Sequence, residues 1–111
     1  MLRNCDDHTK NFSFRLRKDQ QWELAPAYDI CHAYRPDSLW VSQHALSING
    51  KRKDITKYDL LHLAESMNIK KADTIISEIN NKVNLWNNYA EETMVNSKLR
   101  DAIKNTLISF L

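Results

Sequence analysis

The stretch that decides the fold runs Cys5-Asp6-Asp7-His8-Thr9-Lys10-Asn11-Phe12-Ser13-Phe14-Arg15-Leu16 and continues to Ala25-Pro26-Ala27-Tyr28-Asp29-Ile30. Asp6 and Asn11 stand in the order D-x-x-x-x-N. An extended loop of that length lets a carboxylate and an amide reach one phosphate-and-metal site. Phe12 to Leu16 then alternates like a strand, Lys18-Asp19-Gln20 reads as a turn, and Gln21-Trp22-Glu23-Leu24 alternates again. The reading is a β-hairpin over about residues 12 to 25, ended by Pro26, which has no N–H for a ladder. Phe12, Phe14 and Leu16 share one face at period two, which favours core packing; Arg15 and Arg17 fall on the solvated face. The hairpin leads directly to a second carboxylate, Asp29.

A D-x4-N loop followed by a hairpin and an Asp is the order of a protein-kinase catalytic segment, in which the first Asp orients the attacking hydroxyl and the Asn and second Asp hold Mg²⁺. Alone the D-x4-N spacing is common by chance. The longer string Asp6-Asp7-His8-Thr9-Lys10-Asn11-Phe12-Ser13 with Leu24-Ala25-Pro26-Ala27-Tyr28-Asp29 resembles the HipA-like serine/threonine kinases, the toxins of bacterial toxin–antitoxin pairs. His44-Ala45-Leu46-Ser47-Ile48-Asn49-Gly50-Lys51 is similar to that family as well. The resemblance runs over essentially the whole chain but corresponds only to the C-terminal part of such a kinase. It implies Asp6 as catalytic Asp, Asn11 and Asp29 as metal ligands, and Lys10 as the nucleotide-binding residue. His8 is grouped with Asp6 as catalytic, two residues on, where many eukaryotic-type kinases have a phosphate-contacting Lys. Asn4-Cys5 replaces His-Arg before Asp6, so ordinary protein kinases are the poorer match. The implied cofactors are ATP and Mg²⁺, and the implied partners a protein substrate, aminoacyl-tRNA synthetases being among the family's targets, and an antitoxin.

Outside this segment, composition sets bounds. The chain has 111 residues, 42% of them hydrophobic, enough for a single domain over 1–111. A net charge of +2 does not mark a nucleic-acid binder, and Lys51-Arg52-Lys53 reads as a solvated turn, leaving DNA contact at most indirect. Two Cys make no disulfide framework, and no apolar run approaches a membrane span; a reducing cytoplasm is the simpler setting. Cys5, His8, Cys31 and His32 could supply four zinc ligands on paper. They lack paired C-x2-C spacing, and adjacent Cys31 and His32 would diverge in extended chain, so a buried thiol and ordinary histidines are the better reading.

Between the hairpin and the helices, Arg35-Pro36-Asp37-Ser38 reads as a turn, Trp40 as a core residue, Ala45 to Ile48 as a strand, and Asn49-Gly50 as a tight turn. Met1 to Cys5 has no evident element. Near Thr56 the period changes from two to 3.6, dividing the chain into residues 1–56 and a helical region 57–111. Thr56 offers an N-cap, and Leu60, Leu63, Ala64 and Met67 make one stripe until Asn68 breaks it. A longer stripe of Ala72, Ile75, Ile76, Ile79, Val83, Trp86 and Ala90 follows. Asn96-Ser97 caps a last helix lined by Leu99, Ala102, Ile103, Thr106 and Phe110. The expectation is an α+β domain, part of a kinase-like C-lobe, with the hairpin and turn-rich half packed on three helices at roughly 57–68, 71–94 and 97–110.

The sequence carries no Gly-rich loop and no V-A-I-K-like strand; in the resembling family these lie upstream of the catalytic loop. The residues present therefore make half of an active site, belonging to a longer kinase or to a remnant with another role. Two readings follow: the catalytic-loop and metal-binding part of a kinase, inactive alone, or a non-catalytic module that contacts an antitoxin, DNA or the missing kinase half. Either one predicts apolar side chains, from Phe12, Phe14 or Trp40, left uncovered or buried by self-association.

Overall fold

The computed structural model describes residues 3–110. It is an α+β fold with one two-stranded antiparallel sheet followed by four helices. Strands β1 (Phe14–Leu16) and β2 (Trp22–Leu24) pair in the register Phe14 with Leu24, Arg15 with Glu23 and Leu16 with Trp22. Helices α1 (Lys57–Ser66), α2 (Ala72–Asn84), α3 (Trp86–Glu92) and α4 (Ser97–Lys104) each pack against the next in sequence.

The helix ends follow from local chemistry. Thr56 caps α1 in a reciprocal box: its hydroxyl takes the Asp59 N–H and the Asp59 carboxylate takes the Thr56 N–H. Asn68, in the left-handed region at φ 55°, closes α1 through bonds from the Asn68 and Ile69 N–H groups to Glu65 and Ala64. Met94 does the same after α3 with N–H bonds at Met94 and Val95 to Glu91 and Ala90, though it lacks the glycine that makes such a cap strain-free. Asn96 caps α4 by accepting the Lys98 N–H.

The expected helix over 71–94 is two. The chain turns at Leu85, whose N–H reaches Lys82 three residues back. Five asparagines between Asn80 and Asn88 lower helix propensity here. The break lets the Trp86 indole N–H donate to the Arg100 carbonyl at 3.0 Å, which ties α3 to α4. Helix α4 stops at Lys104, short of 110, and the chain then runs back so that the Phe110 N–H meets the buried Asn80 amide oxygen at 3.2 Å.

The core is thin. Ala64, Ile76, Val83, Ala90 and Phe110 are buried among the helices, and Cys5 is buried in the other half. The expectation that Phe12, Phe14 or Trp40 lies uncovered holds, while core packing of the hairpin face and of Trp40, and a strand at 45–48, do not. Phe12, Phe14 and Leu16 are exposed, because the hairpin packs against none of the helices. Trp40 is 84% exposed, on a loop closed by the Arg35 N–H to Val41 carbonyl bond and the 35–38 turn. Ala45 to Ile48 makes no strand; only Ile48 and Lys51 bridge, around the predicted Asn49-Gly50 turn with both residues at positive φ. The accessible surface is 8713 Å², against about 6,400 Å² for a compact monomer of 13.1 kDa. The radius of gyration of 15.9 Å likewise exceeds the roughly 13 Å of a compact domain of this length. Much apolar surface is thus uncovered.

What joins the two halves is polar. The Asp59 carboxylate is 0% exposed and accepts bonds from the Asn49 amide at 2.8 Å, the Lys51 ammonium at 2.9 Å, and the Thr56 N–H and hydroxyl at 2.8 and 2.7 Å. It fixes the 49–51 turn to the start of α1. Residues 44 and 52 pair by backbone and by the Arg52 side chain, so the turn in turn carries residues 44–46. These bonds, from Asn49 first, then Thr56 and Lys51, hold the Asp59 carboxyl well below its ordinary value of 3.8. The unfolded chain therefore takes up a proton that the folded chain refuses. Asp59 stabilises the fold in full above its unfolded value and the contribution fades as pH falls below it. The melting temperature of the chain should drop on acidification from about pH 5 to pH 3, and an Asp59→Asn variant, already less stable at pH 7, should show a shallower drop in the same thermal melts.

Candidate functional site

The expected site residues lie on one loop and at the far foot of the hairpin. A single 3-10 turn over Thr9–Asn11 curls the loop, with the Asn11 N–H on the His8 carbonyl at 3.1 Å. The curl brings the Asn11 side-chain amide N–H to the Asp6 carbonyl at 3.0 Å, so the D-x4-N spacing closes on itself. With the Nδ2 hydrogen committed, Asn11 Oδ1 is the oxygen left for a cation. The His8 ring nitrogen Nε2 lies 3.5 Å from the Asp6 carboxylate, which places these two side chains together. The Lys10 side chain is exposed.

Asp29 follows the hairpin on an exposed segment, with backbone φ 53°. A non-glycine residue there is uncommon, and Asp is among those that tolerate it. The segment is tethered by its neighbour: the Tyr28 hydroxyl donates to the Lys10 carbonyl at 2.9 Å, across 18 residues of sequence. Tyr28 thus couples the two motif segments, a role that periodicity could not reveal. The donor set of Asn11 and Asp29 is one amide oxygen and one carboxylate. Hard oxygen donors of this kind suit Mg²⁺, which relies on substrate phosphates for further ligands.

The loop is anchored by Asp7, which the sequence reading passed over. Its carboxylate accepts the Ala45 N–H at 2.7 Å, the Leu46 N–H at 3.2 Å and the His44 Nδ1–H at 2.9 Å. Backbone bonds extend the anchor. The Cys5 N–H reaches Ala33, the Ala33 N–H reaches Arg3, and the Ala45 N–H reaches the Cys5 carbonyl at 3.1 Å. Residues 3–5, without an evident element in the sequence, are therefore the middle of three laced segments. Burial pushes the Cys5 thiol up from its ordinary value, which makes it inert rather than nucleophilic. His32 belongs to the fold: Thr106 spends its hydroxyl proton on the Ile103 carbonyl at 2.7 Å and accepts the His32 Nε2–H at 2.8 Å. Burial lowers the His32 pKa, favouring the neutral ring. Among the described residues no group of three or more His, Cys, Asp or Glu side chains is placed to hold a metal, so Cys5, His8, Cys31 and His32 do not form a zinc centre.

Behind the loop lies an open cleft of about 1200 Å³. Arg3, Asp7 and His44 line one wall, and Ile79, Val83 and Trp86 the other. The cleft runs between the laced segments and helices α2 and α3.

A family model for the HipA-like C-terminal domain matches residues 1–86. The chain belongs to the HipA-like C-terminal domain family. The matched span holds the loop, the hairpin, Asp29, α1 and α2 and ends at the first residue of α3, so most of α3 and all of α4 lie beyond it. No curated protein and no solved structure matches the chain. Among the described residues no helix of this HipA-like domain is long and apolar enough to cross a membrane.

The anchoring role of Asp7 is open to direct measurement. Asp7→Ala removes the acceptor of the Leu46 N–H and one of the two acceptors of the Ala45 N–H, and should cost about 1–3 kcal/mol in urea unfolding, with the largest amide shifts at Ala45 and Leu46. A change below about 0.5 kcal/mol would match an ordinary surface carboxylate instead.

Proposed function

We propose that this chain is the catalytic-loop and metal-binding part of a HipA-like ATP-dependent protein serine/threonine kinase, the toxin of a toxin–antitoxin pair, and that it is inactive alone. One observation carries the reading: Asp6, His8 and Asn11 converge on a curled loop whose Lys10 carbonyl is bonded to Tyr28, the neighbour of Asp29. A single capping carboxylate or turn amide is ordinary in a loop. Asp6, Asn11 and Asp29 in kinase order, with a side-chain bond from Tyr28 linking their two segments, favour phosphoryl-transfer ancestry.

In the complete enzyme Asp6 accepts or orients the proton of the attacking serine or threonine hydroxyl. Asn11 Oδ1 and the Asp29 carboxylate are the oxygen ligands for Mg²⁺, which supplies charge neutralisation on the phosphate oxygens when bound. Lys10 offers a flexible cation to the nucleotide phosphates, and His8 holds the Asp6 carboxylate in place and presents a second polar group to the transferred phosphate. The loop over the phosphates, the Lys for the α- and β-phosphates and the adenine wall come from another stretch of polypeptide.

The alternative, a module that binds a partner without catalysis, draws on the cleft and on the large uncovered surface. Of the partners open to such a module, the missing kinase half suits the cleft better than DNA does, since α2 and α3 line it with Ile79, Val83 and Trp86 beside Glu78, Asn81 and Lys82, and the net charge is only +2.

Calorimetric titration of residues 1–111 with Mg·ATP should give no saturable binding, and labelled-phosphate assays no transfer. When the chain is joined or added to the nucleotide-binding half of a HipA-like kinase, transfer should appear and be lost in Asp29→Ala, with the far-UV circular dichroism unchanged. Transfer by the 111-residue chain alone that vanishes in Asp6→Asn would mean a self-sufficient enzyme. Transfer in the joined protein that survives Asp29→Ala would remove the metal-ligand assignment.

A further inference from the structure

The hairpin presents a second surface, separate from the cleft. Its rear face is satisfied internally: Arg15 Nε donates to the Glu23 carboxylate at 2.6 Å, and Arg17 lies 3.4 Å from the same group. Its front face carries Phe14, Leu16, Trp22 and Leu24, each more than half exposed, with Phe14 and Trp22 at 67% and 69%. Phe12, extended and two residues before Phe14, adds to that face. No residue of this hairpin lines the cleft, so a polypeptide seated there does not account for it. A two-stranded hairpin with an uncovered apolar face is marginal in water. An occupant that covers this face would stabilise it.

We infer that the occupant is a second copy of this chain, packed hairpin on hairpin about a two-fold axis. The register makes the face self-complementary. Phe14 pairs with Leu24 and Leu16 with Trp22, so the two aromatic rings lie on one diagonal and the two leucines on the other. Turning one copy over about an axis along or across the strands, in the plane of the contact, sets each aromatic ring on a leucine of the partner. Large side chains then meet small ones, and no ring meets its own image. The area is adequate. With aromatic side chains offering roughly 150–250 Å² each, the five exposed residues supply on the order of 600 Å² per copy. The total of about 1,200 Å² reaches the lower bound of specific, stable interfaces. Charge does not oppose the contact: residues 12–25 carry three cations and two anions, and the Arg15–Glu23 pair faces away.

Sedimentation velocity of the 111-residue chain from about 1 to 100 μM tests this, over the range where interfaces of this size associate. The expected species at the upper end has twice the 13.1 kDa chain mass. Phe14→Thr and Trp22→Thr keep strand propensity while removing the apolar face; each should weaken the dimer at least tenfold, with helical circular dichroism unchanged. Arg15→Thr, on the rear face, should leave the dimer intact. A wild-type chain that stays monomeric at 100 μM overturns the inference, as does a dimer that neither face variant weakens. A dimer weakened equally by Arg15→Thr also overturns it, since that would mean contact without regard to face. None of these outcomes bears on the metal ligands, which the transfer assay addresses separately.

Discussion

One carboxylate with no exposure to water, Asp59, is the constraint on which the positioning of the loop rests. Burying a charged group without partners is expensive, so the site persists only while Asn49, Lys51 and Thr56 all bond to it. Their presence fixes the 49–51 turn against α1. The turn carries residues 44–46 through the pairing of His44 with Arg52, and Asp7 then gathers His44, Ala45 and Leu46. Asp7 sits one residue after Asp6. The loop that carries Asp6 is thus held to the helical half by a chain of hydrogen bonds, not by a continuous apolar core, which in this molecule is small.

That arrangement explains what could and could not be read from the residues. The α+β class, the hairpin, the Asn49-Gly50 turn, the Thr56 and Asn96 caps and the stop at Asn68 were legible because each depends on near neighbours in sequence. The left-handed Asn68 and the capping box are local chemistry. The break at Leu85 was not legible, since the apolar stripe passes through it without a change of period; the surplus of asparagines was the available signal. Burial was least legible. Period two places Phe12, Phe14 and Leu16 on one face but cannot say whether anything packs on that face, and Trp40 was misjudged for the same reason. Asp7 escaped notice because its partners lie 37 to 39 residues away. Asp59 escaped notice although its partners lie within ten residues, because an acidic residue in the first turn of a helix carries no signature of burial.

The candidate site shows the same division. Asp6, Asn11 and Asp29 were nominated by order and by likeness to the HipA-like kinases, and the loop does curl to join Asp6 with Asn11. Their nomination rested on no knowledge of Tyr28, whose hydroxyl ties the segment of Asp29 to Lys10. Membership of the HipA-like C-terminal domain family bears out the likeness on which that nomination rested. The excess of accessible area over a compact monomer goes with the small apolar core.

Amide hydrogen exchange of the wild-type chain and Asp59→Asn, followed residue by residue by NMR, tests the central claim most directly. If Asp59 holds the loop through the relay described here, the substitution lowers protection at Lys51, Ala45 and Cys5 together with that of α1. Loss of protection confined to residues 56–60, with Ala45 and Cys5 unchanged, would contradict it.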